Sequence, residues 1–417
     1  MSFSQFHLDP KLQQTIADAG YTEPTPIQKA AIPAALSGID LIGTAQTGTG
    51  KTAAFVLPIL QRLLEGPRNR HRVLIVTPTR ELAEQINDTV KALAKGTGIR
   101  SATIYGGVSM LPQEHALRTG VEILVACPGR LLDHIDRRNA RLDGIEVLVL
   151  DEADRMFDMG FLPAVRKLIS HMPAKRQTML FSATFPSDVE ALASAVLKNP
   201  QRISVNMVKP ANTVSHAIYP VTPHLKTKMT LRVLSEMGEN AQSILIFTRT
   251  KHRANRLMQQ IGREGYRVCV LHSNKSQNQR QAALDGFKRG DFQIMVATDI
   301  AARGIDVQSI THVVNFDIPD TVDAYIHRIG RTGRAEREGD AITLVTDEDR
   351  PTVRAIERVM GKPLERKTLV DFDYNAPPPV EAFDARPPRP ARPQPRNAQP
   401  ARRGESNQRR PARSGSR

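Results

Sequence analysis

Residues 147–154 read VLVLDEAD, an apolar run that ends abruptly in three acids and a single alanine. Four consecutive Val and Leu residues leave no polar face, so Val147–Leu150 reads as a strand covered on both sides, as in a parallel sheet flanked by helices. In open sheets of that kind the chemistry sits beyond the carboxyl ends of the strands. Asp151, Glu152 and Asp154 would stand there. By themselves they could equally be an acidic helix start favoured by the helix dipole.

A second stretch, upstream, decides between these. Residues 45–52 read AQTGTGKT, after the apolar run Asp40–Ala45 and before an expected helix Lys51–Leu64. Ala45, Gln46, Thr47, Gly48, Thr49 and Gly50 form a loop whose glycines let backbone amides turn inward onto phosphate oxygens. Lys51 would reach the β and γ phosphates of ATP, and Thr52 would offer a hydroxyl to Mg²⁺. With that loop in place, Asp151 suits the same metal ion and Glu152 suits orienting or deprotonating a water.

Outward from these two stretches the chain repeats one rhythm. Apolar runs at Val73–Thr77, Glu122–Ala126 and Thr178–Phe181 alternate with amphipathic segments such as Glu81–Ala94 and Val189–Leu197. The rhythm lapses at NMVKPANTVSH, Asn206–His216, and resumes at Ser243–Phe247, Val268–His272, Gln293–Thr298, His312–Phe316 and Ala341–Thr346. Alternating strands and helices imply two three-layer α/β/α domains with parallel sheets. The expected division is an N-terminal segment 1–30, a first domain 31–205, a linker 206–216, a second domain 217–365 and a tail 366–417. Only the first domain carries a phosphate loop.

The chain of 417 residues has a net charge of +15, which calls for a polyanionic partner. From Ala376 onward ten Arg face three acids, so the tail carries +7, together with ten Pro and one aromatic. Such a segment cannot bury enough apolar surface to offset chain entropy and is expected to be a disordered basic tail. Two distant cysteines exclude a disulfide framework or zinc spacing and suit a reducing cytoplasm. The opening MSFSQFHLDP has no secretory pattern, and no run of about 18 apolar residues would span a membrane.

The DEAD segment, the loop AQTGTGKT, PIQ at Pro26–Gln28, PTREL at Pro78–Leu82, the pair Gly106-Gly107, SAT at Ser182–Thr184, ATDIAARGID at Ala297–Asp306 and HRIGRTGR at His327–Arg334 follow one another in a fixed order. In that order the sequence resembles the DEAD-box ATP-dependent RNA helicases over roughly residues 1–360. DEADRMFDMGF, FTRTKH and NKSQ look most like the bacterial RhlE-like subgroup. The resemblance implies two tandem RecA-like domains, RNA-dependent hydrolysis of ATP, and RNA as partner in ribosome assembly or RNA decay.

It also implies roles. Gln28 would read the adenine edge with an amide that donates and accepts. Phe3 would pack on the base, or else be an ordinary core or surface residue, and Asp306 would hold the ribose. Ser182, Thr184 and Asp154 would couple the ATP site to the RNA site, with local backbone hydrogen bonding as the plainer alternative for the hydroxyls. His327 would bridge toward the DEAD segment. Arg331 and Arg334 would fork onto phosphate from the second domain. Pro78, Thr79, Arg80, Gly107, Pro128, Gly129 and Arg130 in the first half, with Thr250, Thr298 and Gly304 in the second, would hold the RNA backbone. Small groups and hydroxyls position a strand without reading its sequence. Cys127, where the resembled family has Thr, and Ser273, where Gly is common, depart from the pattern.

Three other readings compete: an ATP-gated RNA clamp that serves as a platform, a DNA motor, and a scaffold with a vestigial ATPase. The RNA motifs speak against the DNA motor. Lys51, Glu152, Arg331 and Arg334 together speak against the scaffold.

Overall fold

The computed structural model describes residues 2–45, 48–204, 214–238, 243–302, 310–333 and 339–378. Residues 1–376 form one compact unit. Within it the first sheet holds β1 (Leu41–Thr44), β2 (Val73–Val76), β3 (Ser101–Ile104), β4 (Ile123–Ala126), β5 (Val147–Asp151), β6 (Gln177–Ser182) and β7 (Gln201–Ser204). The second holds β8 (Val214–Pro220), β9 (Ile244–Thr248), β10 (Val268–Leu271), β11 (Ile294–Thr298), β12 (His312–Asn315), β13 (Gly339–Val345) and β14 (Glu365–Arg366).

The spatial orders are β3-β4-β2-β5-β6-β1-β7 and β10-β11-β9-β12-β13-β8-β14. Counted within each sheet, both run third, fourth, second, fifth, sixth, first, seventh. Every pairing among the described strands is parallel. The same fold therefore occurs twice in the chain.

Two-sided burial explains why the central strands were plain in the sequence: β2, β4 and β5 are buried at every residue. Each sheet has its own cores. One cluster around Phe55, Leu60 and Phe181 and another around Leu124, Leu148 and Met156 contain only residues before 204. Three others contain only residues after 213.

Several boundaries move. The N-terminal segment is not separate, because Phe3, Phe6, Leu8, Leu12 and Ile27 enter the core of the first domain. The last three residues of the expected linker, Val214–His216, already pair with β13; the earlier ones lie outside the described residues. The tail begins later than expected. Arg366 pairs with β8, and Leu369, Phe372 and Tyr374 pack on the second domain. Residues 379–417 lie outside the described residues.

Helix starts place the candidate groups. Thr79 leaves β2 with an extended backbone and accepts the Leu82 amide at 3.3 Å, capping the helix Arg80–Leu93. Thr250 leaves β9 likewise and accepts the Arg253 amide at 3.2 Å, capping Lys251–Arg263. The capping oxygen satisfies an amide that the helix itself cannot. The two threonines thus occupy matching corners of the two sheets.

Candidate nucleotide and RNA site

The phosphate loop leaves β1 at Ala45. Gly48 and Gly50 have φ of 83° and 89°, the left-handed region that other residues enter only at a cost. A Cβ on Gly50 would stand 2.5 Å from the Gln28 amide, so only glycine fits there. Lys51 opens the helix Lys51–Leu63 and is buried. Its ammonium donates to the Ala45 carbonyl at 2.9 Å, across the mouth of the loop. Thr49 and Thr52 sit in or beside this loop, and Gln46 and Thr47 lie outside the described residues.

Gln28 is buried, and its amide is committed at both ends. Its oxygen accepts from the Thr25 amide at 2.8 Å, and its nitrogen donates to the Gly50 carbonyl at 3.0 Å. One N–H and one lone pair are left for a base. Phe3 is only 4% exposed, and its ring meets Phe6 and Tyr21 edge-on. The core alternative therefore describes Phe3. The ring is already covered by its own segment, so packing on a base is not the role this geometry gives it.

At the end of β5 the Asp151 carboxylate is 2% exposed. Burial pushes its pKa up from 3.8 to about 6, against the pull of Lys51. A carboxylate whose charge is penalised in this way is relieved by a cation. Asp151 and the Thr52 hydroxyl supply too few ligands to cage a metal. No group of three His, Cys, Asp or Glu among the described residues could hold one alone. That donor set fits Mg²⁺, which keeps waters and phosphate oxygens as its remaining ligands.

Glu152 has φ 55° and ψ 52°, unusual for a residue with a side chain, and this turns the chain from β5 into the helix Ala153–Asp158. Its carboxylate pairs with Arg155 at 2.9 Å, both side chains being 4% exposed. Asp154 accepts the Thr184 amide at 2.9 Å and the Thr184 hydroxyl at 3.0 Å. Its own amide donates to the Ser182 hydroxyl at 3.0 Å, which in turn donates to the Thr184 carbonyl at 2.7 Å. Burial works to raise the Asp154 pKa. The Thr184 amide, His327 in its acid-side protonated form, and Lys51 outweigh it and hold the carboxyl below its ordinary value. Both hydroxyls bond Asp154 of the DEAD segment, and that of Ser182 also donates to the Thr184 carbonyl of its own turn.

Across from Asp154 and Arg155 stands the helix Val322–Ile329 of the second domain. A cavity of about 430 Å³ is lined by Asp154, Arg155 and Thr184 from the first domain and by His327, Arg328 and Arg331 from the second. Burial, reinforced by Arg155, depresses the His327 pKa to about 4, so its ring is neutral at pH 7. Arg331 is 4% exposed and donates to the His327 carbonyl at 3.3 Å. Arg334, Asp306 and Gly304 lie outside the described residues.

The first-domain RNA candidates converge on Arg80. A Cβ on Gly107 would come within 2.1 Å of its guanidinium, and its φ of 82° is one that side chains rarely adopt, so glycine suits that position. Arg130, in the first turn of the helix Pro128–Asp136, donates to the Val108 carbonyl of the same loop at 3.1 Å. Cys127 caps that helix without a side-chain hydrogen bond. Burial pushes its thiol up to about 12, so it stays protonated. Thr298 ends β11, while Ser273 is exposed beyond the buried His272.

Sequence reasoning missed the residues that join the two domains behind this face. Arg80 donates to Gln277 at 3.4 Å, Gln277 donates to Glu81 at 3.3 Å, and Arg280 pairs with Glu81 at 2.9 Å. Gln277 and Arg280 are three apart on the helix Gln277–Arg289, which puts them on one face of it. Arg155 and Arg328 were also missed. Arg328 grips Asp299 with two bonds of 2.6 Å and donates to the Asp317 carbonyl at 2.6 Å, which fixes the helix that carries His327.

Residues 25–192 match the DEAD/DEAH box helicase family, and residues 226–336 match the helicase conserved C-terminal domain. The chain is 38% identical over 386 residues to the DEAD-box ATP-dependent RNA helicase RhpA of Helicobacter pylori, covering 92% of this chain and 74% of that one. It is 42% identical over 387 residues to the ATP-dependent rRNA helicase RRP3 of Candida albicans, covering 92% and 70%. Among solved structures, S. cerevisiae Dbp5 bound to RNA and ADP BeF3 superposes with a TM-score of 0.78 at 30% identity, covering 88% of this chain and 95% of that one.

Proposed function

Because this chain belongs to the DEAD-box ATP-dependent RNA helicases, we propose that it remodels RNA by closing its two domains over ATP and an RNA backbone. The observation that carries the reading is the cavity in which His327 and Arg331 of the second domain face Asp154 and Arg155 of the first. A site built from both domains is complete only when they meet.

On this reading Lys51 and the loop amides hold the β and γ phosphates. Asp151 and Thr52 would hold Mg²⁺, which supplies neutralisation of phosphate charge. Glu152 orients the attacking water and takes its proton, shifting from its pairing with Arg155. Arg331, with Arg334 beyond it, places positive charge on the phosphoryl group as it transfers. Gln28 reads adenine with the N–H and lone pair not spent on Thr25 and Gly50, and Asp306 holds the ribose.

Ser182 and Thr184 tie Asp154 to the strand end, so a shift at the cavity reaches the RNA face through β6. RNA lies along Pro78–Arg80, Gly107, Pro128–Arg130, Thr250, Thr298 and Gly304. These contacts are to phosphate and sugar and carry no sequence preference. Binding energy for the closed form would strain a short duplex locally, and hydrolysis would reopen the cleft. The name of the relative RRP3, an rRNA helicase, favours ribosomal RNA as substrate. The stretches that look most like the RhlE-like subgroup favour a bacterial enzyme, and the two distant cysteines favour a cytoplasmic one.

The test is Arg331→Ala, assayed for ATP binding, RNA-stimulated turnover and release of a short duplex. Binding should survive while turnover falls by on the order of 10³-fold. Turnover equal to wild type would reject completion of the site from the second domain. Full RNA-stimulated turnover by the wild-type protein without duplex release would favour the clamp.

A further inference from the structure

The repeated strand order allows the two domains to be compared place by place. In the first, β1 leads to a helix whose first residue is Lys51, and β5, two strands away across β6, ends in Asp151. In the second, β8 leads to a helix whose first residue is Lys226, and the matching strand β12 is followed closely by Asp317. Lys226 is buried, as Lys51 is. Its ammonium donates to the Phe316 carbonyl at 3.0 Å and stands 3.7 Å from Asp317 and 4.0 Å from Asp349. The loop between β8 and Lys226 reads VTPHL, without a glycine to turn amides inward. The second domain therefore keeps a lysine at the start of the helix after its first strand and an aspartate just past the matching strand end, one residue beyond the place of Asp151, but has no cradle between them.

Asp317 is spent on something else. One carboxylate oxygen accepts the Arg249 amide at 2.9 Å, and the other accepts from the Arg253 guanidinium at 2.6 Å. Both partners flank Thr250, which caps the helix that begins there. Asp317 thus grips the turn at the end of β9 from its neighbour β12, and Lys226 holds Asp317 from the far side.

We propose that Lys226 and Asp317 are positioning residues that fix the RNA-contacting turn Arg249–Thr250, at the same end of the sheet where the first domain's Lys51 and Asp151 serve a nucleotide. The inference rests on the reading of Thr250 as an RNA contact. A buried, fully hydrogen-bonded carboxylate is a stiff anchor. Removing its charge frees the turn without touching Arg331 or the phosphate loop. The second domain accordingly binds no nucleotide of its own.

The test measures the RNA concentration giving half-maximal ATPase, and kcat at saturating RNA, for Asp317→Asn, Lys226→Met, Thr250→Val and the double variant Asp317→Asn/Thr250→Val. Each single variant should raise the half-saturating RNA concentration about tenfold, the scale of one hydrogen bond to a charged group, and for Asp317→Asn and Lys226→Met kcat should change by less than about twofold. The double variant should be no worse than Thr250→Val, because Asp317 acts through Thr250. Arg253→Met replaces any buried variant that fails to fold, since the Arg253 side chain is 49% exposed, and it should move the same parameter in the same direction.

If Thr250→Val raises half-saturation and the Asp317, Lys226 and Arg253 variants do not, the inference falls while the reading of Thr250 stands. If Asp317→Asn acts and Thr250→Val is silent, or if the two effects multiply in the double variant, Asp317 does not work through Thr250 and the inference falls. Two nucleotides bound per wild-type chain, titrated with a fluorescent ADP, would overturn it as well.

Discussion

Arg280→Met removes the cation that faces Glu81 across the two domains. The carboxylate is 3% exposed and the guanidinium 13%, at 2.9 Å. Breaking a buried pair by deleting one partner costs about 3–5 kcal/mol, because the remaining charge is stranded. Gln277 still donates to Glu81 at 3.3 Å, which places the cost at the lower end. The penalty falls on the closed form alone, since opening the cleft returns Glu81 to water. About 3 kcal/mol is a factor of roughly 10² in the closed-to-open ratio, enough to turn a 99:1 population into about 1:1. A dye on an exposed position of each domain, read by single-molecule energy transfer with a non-hydrolysable ATP analogue and RNA, would show the closed population falling. The RNA concentration for half-maximal ATPase should rise by a comparable factor. Glu81→Gln in the same chain should restore most of the loss, because no charge is then stranded. An Arg280→Met protein that closes like wild type, or a double variant worse than the single one, would refute the argument.

Asp151→Asn should abolish turnover and yet raise the melting temperature of the nucleotide-free protein at pH 7.5. The folded carboxyl is raised to about 6 from 3.8, so the wild type loses stability as pH climbs through that window, and the variant's advantage should vanish below about pH 4. Equal melting temperatures at pH 7.5 would contradict this. Glu152→Gln should bind ATP normally, hydrolyse it at least about 10²-fold more slowly, and hold RNA longer in the presence of ATP; rapid release, followed by filter retention, would contradict it. Deleting residues 379–417 removes ten Arg and three acids. RNA affinity should fall while saturated turnover holds, and the log–log salt slope should drop by about 0.7 for each phosphate that the shortened chain no longer holds; unchanged slopes would mean that the segment does not touch RNA.

The strands that line the site were legible because they are apolar on both faces, and β5 carries its acids directly behind that run. The edge strands were not. SATI in β3 and QRIS in β7 are partly exposed and mix polar with apolar residues, so no buried run marks them. The strand Val214–Pro220 was hidden by a Ser, a His and a Pro, and so its first residues were read as linker. Glycine loops and helix caps follow from local sequence, which is why Gly48, Gly50, Thr79 and Thr250 stand where their residue types predict. The contacts of Glu81 with Gln277 and Arg280 depend on how two separately folded sheets meet, and no local pattern encodes that. Phe3 was undecidable for the same reason, since its burial depends on Phe6 and Tyr21 turning toward it.

Because each sheet closes its own cores from its own stretch of chain, the order of synthesis has a consequence. A ribosome finishes making the first domain, with Lys51, Asp151 and Glu152, before it begins the second. At roughly 5–20 residues per second, the interval between residue 204 and Arg331 lasts on the order of 6–25 seconds. On the proposed reading, a nascent chain in that interval could take up ATP but would lack the arginine that completes the site. On that reading the ignition of the enzyme comes late in synthesis, so an unfinished molecule that has folded only its first domain wastes no nucleotide.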